Sequence, residues 1–448
     1  MAKKKQIELS IEEKLQNALV PKEEQPYKIP SNWCWVRLES INKYKSETLN
    51  PKNAMEKMFE LYSVPSFDNK YPEILIGKDI GSNKYIVKKN DILLCKINPR
   101  INRVWQVYQH TNFGQICSSE WIVIRNEILN KSFLRYYFTS EYFRNRLCEN
   151  VSGVGGSLTR AKPKLVQLYE VPLPPINEQQ RIVNIIESLF AKLDRAKELI
   201  ENTLAQFEQN KMAILHKAFT GELTAKWRKE NNIDLSSWEK IKLGKVLLPM
   251  QTKKPTGQFF RYIDIDAIDN KRQIVKAPKL ILTEKAPSRA SRGVETGNIL
   301  FSMVRPYLKN IAQIDSDLSD CIASTGFYVC RCKPELNSRF LYYLFIFDKT
   351  IDYLMQFMKG DNSPSIRKDD LLNMKIDLPT IEEQQEIVNI LDNLLAKYNK
   401  IKNLEQQLEK IELLKKAILA KAFRGELGTN NPDEESAENL LKEILAEK

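Results

Sequence analysis

One stretch of this chain occurs twice, and that repetition limits the possible folds more than any single motif. Residues 171–195 read VPLPPINEQQRIVNIIESLFAKLDR and residues 376–400 read IDLPTIEEQQEIVNILDNLLAKYNK, identical at 13 of 25 positions at an offset of 205. Each runs through a charged helical pattern to a second echo, AILHKAFTGEL at 213–223 and AILAKAFRGEL at 417–427, matching at 9 of 11 positions. Chance identity between unrelated segments is about one position in fifteen. The chain is therefore an internal duplication. Trp33 in SNWCWVRL and Trp238 in SSWEKIKL are also 205 residues apart, so the repeat includes the segments between the helical stretches.

Those helical stretches carry a heptad seam. In the first, apolar residues fall at Ile182, Ile186, Leu189, Leu193, Ala196, Ile200 and Phe207; in the second, at Ile387, Leu391, Leu394, Tyr398, Ile401, Leu408, Ile411 and Ile418. Neither run contains proline or glycine before Gly221 or Gly425, residues suited to ending a helix. Some 43 residues at 1.5 Å each make a rod of about 65 Å. A lone amphipathic helix cannot bury its seam, and the other copy is the available partner. The order globule, rod, globule, rod makes the rods antiparallel and is expected to set the globules at opposite ends of them. The expected boundaries are an arm at 1–30, globules at 31–170 and 228–375, helical regions at 171–227 and 376–428, and an amphipathic tail at 429–448.

Within the globules, short alternating aromatic runs such as KYIVKKNDILLCKI (84–97) and CIASTGFYVCRC (321–332) predict strands. Helices are predicted at about 131–148 and 338–358. The fold class is α+β: two globular domains, two long antiparallel coiled-coil helices and a pseudo-two-fold relation between the copies.

Lys and Arg outnumber Asp and Glu by 69 to 57, a net charge of +12 that suits a polyanionic partner. No apolar run approaches the roughly 18 residues of a membrane span. The N-terminus, MAKKKQIELSIEEKLQNAL, has no apolar core or cleavage site of a secretory signal, so a cytoplasmic protein is expected. Seven cysteines without a framework of spacings fit reduced thiols. Cys330-x-Cys332 is too tight for a zinc knuckle, and His110 and His216 are the only histidines. Gly153-x-Gly155-Gly156 falls short of a phosphate-loop pattern and reads as a flexible loop. The pairs Asp264-x-Asp266 and Asp315-x-Asp317 lack the lysine that a metal-dependent nuclease would add, and solvation of strand edges is the simpler role.

Two dyad-related readers of different surface suit a split, asymmetric duplex target. The expected DNA contacts in the first globule are Lys96, Asn98, Arg100, Asn102 and Arg103 in KINPRINRVW, with Ser157, Thr159 and Arg160 after the glycine loop. In the second they are Arg305, Tyr307, Lys309 and Asn310 in SMVRPYLKN, aligned through Pro99 and Pro306, with Ser365, Arg367, Lys368, Arg289 and Arg292. Arg and Asn can pair with base edges, whereas Lys mostly neutralises phosphate. The bland alternative is a solvated charged loop.

The doubled PLPPINEQQRIV and LPTIEEQQEIV, the AFTGEL and AFRGEL exits, the tryptophan starts and the ESAENLLKEI tail together resemble the specificity subunit of type I restriction-modification enzymes, across essentially the whole chain. The resemblance implies two target recognition domains, assembly with two methyltransferase and two restriction subunits on double-stranded DNA, and no catalysis here. It implies no cofactor in this chain, with S-adenosylmethionine, ATP and Mg²⁺ belonging to the partners. The sequence agrees, having no Asn-Pro-Pro-aromatic motif, since Asn98-Pro99-Arg100 departs after the first proline, and no Walker sequence. The competing readings are a self-sufficient DNA methyltransferase or nuclease, and a coiled-coil scaffold that binds no nucleic acid. The exposed EQQ helix starts and the glutamate-rich faces are expected to dock the methyltransferases, with a plain helix-start role as the alternative.

Overall fold

The structure, a computed structural model, describes residues 9–152, 159–399 and 402–447. The expected contact Ser157, the glycines at 153, 155 and 156, and the seam side chains of Tyr398 and Ile401 lie outside the described residues. The chain divides into two compact units, one comprising Met1–Leu199 with Gln406–Lys448 and the other Ile200–Glu405. The boundary falls within the rods, so each unit combines a globule with half of each helical region.

In the first unit the strand Cys34–Arg37 pairs antiparallel with Glu170–Leu173, tying the start of the globule to its end. Between them lie a five-stranded and a three-stranded sheet. In the larger, Met58–Tyr62 runs parallel to Gly114–Ser118 and antiparallel to Glu73–Ile76. In the smaller, Ile92–Cys95 is flanked by Val104–Gln106 and Trp121–Ile124. The second unit repeats this plan. Glu239–Lys242 pairs with Lys375–Leu378, Phe259–Ile263 runs parallel to Ile322–Ser324, and Ile299–Ser302 lies between Ile311–Gln313 and Phe327–Cys332.

The helix expected at 131–148 is two, Lys131–Thr139 and Glu141–Glu149. Ser140 is extended between them, and its hydroxyl accepts from the amide of Phe143, so one serine ends a helix and caps the next. The same break divides 338–358 into Ser338–Ile346 and Asp348–Met355, at an extended Phe347. The alternating apolar pattern hid the breaks because both halves bury aromatics on one face, among them Phe133, Tyr137 and Phe143.

The first rod is one helix, Ile176–Phe219; the second is described as Ile381–Asn399 and Lys402–Phe423. Within the first unit the ion pairs Asp194–Lys415 and Lys197–Glu412 run in opposite sequence directions, so the helices are antiparallel. Ile182, Ile186 and Ile411 are fully or nearly fully buried, while Leu189, Leu193 and Ala196 are half-buried, as befits a two-helix rod with one covered stripe. The helix Ile11–Ala18 packs on the tail helix Ala437–Ala446, and Leu441 and Ile444 join the first globule's core.

Candidate nucleic-acid interface

The doubled EQQ is a pair of internal nodes. The Glu178 carboxylate accepts from the Trp33 indole (2.7 Å), the Thr429 hydroxyl (3.1 Å) and the Asn430 amide (2.9 Å). Glu383 accepts from the Trp238 indole (2.9 Å), the Thr224 hydroxyl (2.6 Å) and the Arg228 guanidinium. Gln179 and Gln384 donate to the carbonyls of Pro174 and Pro379 and accept from the amides of Asn130 and Asn337. All four side chains are 0% exposed, which corrects the expectation that they face a partner. A buried carboxylate needs several donors to replace water, and the sequence motif is the signature of that need. Gln180 and Gln385 alone reach the surface, each joined to Asn184 or Asn389.

Each node fixes the start of the globule's first strand to its rod, and each globule also carries a turn of unusual backbone. Asn98 and Asn102 are both left-handed (φ 47° and 50°) around the short 3-10 helix Pro99–Ile101. Arg305 and Lys309 are left-handed (φ 47° and 50°) around Pro306–Leu308. Asparagine tolerates this conformation; for arginine and lysine it costs about 1–2 kcal/mol per residue. A left-handed backbone kept at the same place in both copies, at a cost in the second where Arg305 and Lys309 carry it, is a sign of a geometry held for use.

The turn is clamped on two sides. The amide of Asn98 donates to the carbonyl of Thr159 (2.8 Å) and that of Ala161 to Lys96 (2.8 Å); in the second unit Arg305 donates to Pro364 (2.8 Å) and Ile366 to Met303 (3.0 Å). The sequence's two candidate loops are thereby brought together in each globule. On the other side the Asn102 amide group donates to the carbonyl of Thr139 (2.8 Å), and the Lys309 ammonium to that of Ile346 (2.9 Å), the last residue of the equivalent helix. Asn102 and Lys309 therefore spend donors on a helix end, and Lys309 also pairs with Asp348.

Around the apex, Arg100, Arg305, Arg367 and Lys368 are exposed, as is Tyr307 at 42%. Arg160 reaches Glu120 (3.3 Å) at the surface, and Arg305 donates to the carbonyl of Asn362 (2.8 Å). Lys96, Thr159 and Ser365 are half-buried in the clamp, and Asn310 is buried. Arg289 is exposed beside the strand Ala290–Gly293 that carries the half-buried Arg292. The Oδ1 atoms of Asn98 and Asn102 and the Nε atoms of Arg103 and Arg292 are buried without a hydrogen-bond partner among the described residues. Unpaired polar atoms of this kind are uncommon, and of the seven among the described residues three lie at this one turn. The sequence pointed to Asn98 and Arg305 for their side chains; their shared backbone had no signal beyond the aligned prolines.

Other candidates have simpler roles. Asp264 caps a short helix and pairs with Lys279, and His216 lies against Phe347 with Nε2 3.2 Å from the Lys349 ammonium. Among the described residues no group of three His, Cys, Asp or Glu is placed to hold a metal, and no helix is long and apolar enough to cross a membrane. Burial pushes the thiols of Cys34 and Cys332 up to about 12, away from nucleophilic use.

The family model described as "Type I restriction modification DNA specificity domain" matches twice, at residues 30–206 and 238–413. The chain belongs to that family. It is a DNA-specificity subunit of the type I restriction-modification kind, a recognition chain and not a catalyst. It is 25% identical to the type I restriction enzyme EcoDI specificity subunit of Escherichia coli, over 94% of this chain and 96% of that one. It is 24% identical to the MjaVIII specificity subunit of Methanocaldococcus jannaschii, over 92% and 96%. Its fold resembles a chain from a type I R-M system studied for complex assembly and conformational transition (TM-score 0.71, 23% identity, 90% of this chain and 100% of that one). It also resembles the HsdS subunit from Thermoanaerobacter tengcongensis (TM-score 0.57, 24% identity, 90% and 100%).

Proposed function

We propose that each globule reads one half of a split, asymmetric DNA target through its clamped turn and the loop bound to it. The observation that carries this reading is the shared left-handed, proline-led backbone presenting Arg100 in one copy and Tyr307 in the other. A common scaffold with different apex chemistry gives two related readers of unlike half-sites. Arg100 and Arg305 are suited to guanine edges or phosphate, whereas Arg160, Arg367 and Lys368 line the approach of the backbone. Rigid clamping limits the ordering cost of binding, since the turns are already held.

The chain works with DNA, methyltransferase and restriction subunits; we propose two of each enzyme subunit, one per copy of the repeated frame. S-adenosylmethionine, ATP and Mg²⁺ are assigned to those partners, and the complex to the cytoplasm. The rods act as the ruler of the gap. Inserting about four residues in register into both rods adds about 6 Å, close to two base-pair steps, and should lengthen the gap while leaving both half-sites unchanged.

The deciding experiment is selection from a random duplex pool by this chain co-purified with its methyltransferase, followed by sequencing and mapping of methylated adenines. A split motif of constant gap is expected. Enrichment of one continuous motif would mean that a single globule reads DNA, and no enrichment by intact complex would leave a scaffold.

A further inference from the structure

Next to the variable apex residue, the two turns carry a residue of constant type. Ile101 follows Arg100 and Leu308 follows Tyr307, at the same step of the same backbone, and they are 50% and 38% exposed. Exposed aliphatic side chains are ordinary when scattered. Here the exposure recurs at one position of a duplicated, left-handed turn, among exposed cations, while the preceding residue changes from guanidinium to phenol.

We infer that Ile101 and Leu308 are wedges, each inserted into a base step of its half-site. This rests on the DNA-reading assignment of the turns. An aliphatic side chain makes no hydrogen bond to a base edge; it can meet a thymine methyl or fill the space between two separated bases. A thymine contact would be a matter of sequence and would be expected to vary between unlike half-sites, as the neighbouring residue does. Insertion is independent of sequence and accounts for constancy. It also needs a rigid mount, because unstacking a step has an energetic cost that a yielding loop would not transmit. The left-handed residues at both ends of the turn, the ladder to 159–161 or 364–366, and the anchor on Thr139 or Ile346 supply that mount.

The test uses the complex with its methyltransferase and the selected duplex, with 2-aminopurine, which pairs with thymine, replacing each adenine of either strand in and beside both half-sites in turn. Unstacking brightens the probe. One step per half-site, apart from the adenine that becomes methylated, should brighten severalfold on binding. Ile101→Ala should abolish the signal in one half-site and Leu308→Ala in the other, while Ile101→Met and Leu308→Met retain it. Since both side chains are exposed, the alanine variants should keep the fold, checked by unchanged thermal melting. Brightening that persists in the alanine variants, or that is absent everywhere in the unaltered complex, would overturn the wedge. Loss of brightening reproduced by replacing one thymine with uracil would overturn it in favour of a methyl contact. Failure to enrich any duplex instead removes the DNA-reading assignment itself.

Discussion

The two nodes occupy the same place in the repeated frame and are satisfied by different chemistry. Glu178 is held by an indole, a hydroxyl and an amide, all neutral, whereas Glu383 exchanges the amide for the guanidinium of Arg228, itself buried and donating to the Gly221 carbonyl. The frame therefore specifies a buried carboxylate and three donors without specifying the charge of the third. Energetically the copies are unequal: removing one partner strands neutral donors in the first unit and a charge in the second.

The largest effect should come from that inequality. Glu383→Ala leaves Arg228 buried and unpaired and is expected to destabilise the second unit by about 3–5 kcal/mol. Glu178→Ala should cost the first unit about 1–3 kcal/mol. Chemical denaturation followed by limited proteolysis assigns each loss to its unit, and equal losses would break the distinction. The helix ends come next. A Cβ on Gly425 would lie 2.4 Å from the ring of Pro30, and one on Gly221 would lie 2.5 Å from a Leu235 methyl. Both glycines are left-handed, but a leucine can rotate and a proline ring cannot. Gly425→Ala should cost about 2–3 kcal/mol and Gly221→Ala about 1–2 kcal/mol.

At the apices, Arg100→Ala should lose about 1–3 kcal/mol of discrimination at one base pair of the first half-site, with the second unaffected; Arg305→Ala should do the reverse. Selection and sequencing with each variant measures this, and a uniform loss on all DNA would mark a phosphate contact. The smallest effect concerns the tail. Hydrogen bonds from Arg181 (2.7 and 2.8 Å) hold the Glu434 carboxyl below its ordinary value. A lowered folded value stabilises above the unfolded one and is lost as pH falls through the folded one, so the latch should loosen as pH falls below the ordinary carboxylate range. Partly exposed, it should contribute about 0.5 kcal/mol. Protease cleavage near residues 430–435 should rise in acid, and Glu434→Gln should flatten that rise.

The repeat, the antiparallel rods and the glycine ends were legible because each rests on spacing: 205 residues, a heptad and a terminal Gly. The helix breaks at Ser140 and Phe347 were not, because both halves of each pair bury apolar faces. EQQ looked like a surface signature because polar residues at a helix start usually cap it; its partners, Trp33 and Thr429, are 145 and 251 residues away. Likewise, the turn residues were found by charge, but no local rule predicts a left-handed Arg305. Its conformation is imposed by a clamp from a loop nearly sixty residues later.

Because the first unit takes in Gln406–Lys448, it is discontinuous in the chain, while the second, Ile200–Glu405, is not. On a ribosome the order of completion is then inverted. The globule synthesised first must wait, its core open where Leu419, Phe423 and Leu441 will sit, until residues 406–448 emerge. The globule synthesised second can close as soon as its own sequence is out. The nascent first half is thus the part with the longest need of protection, although it leads.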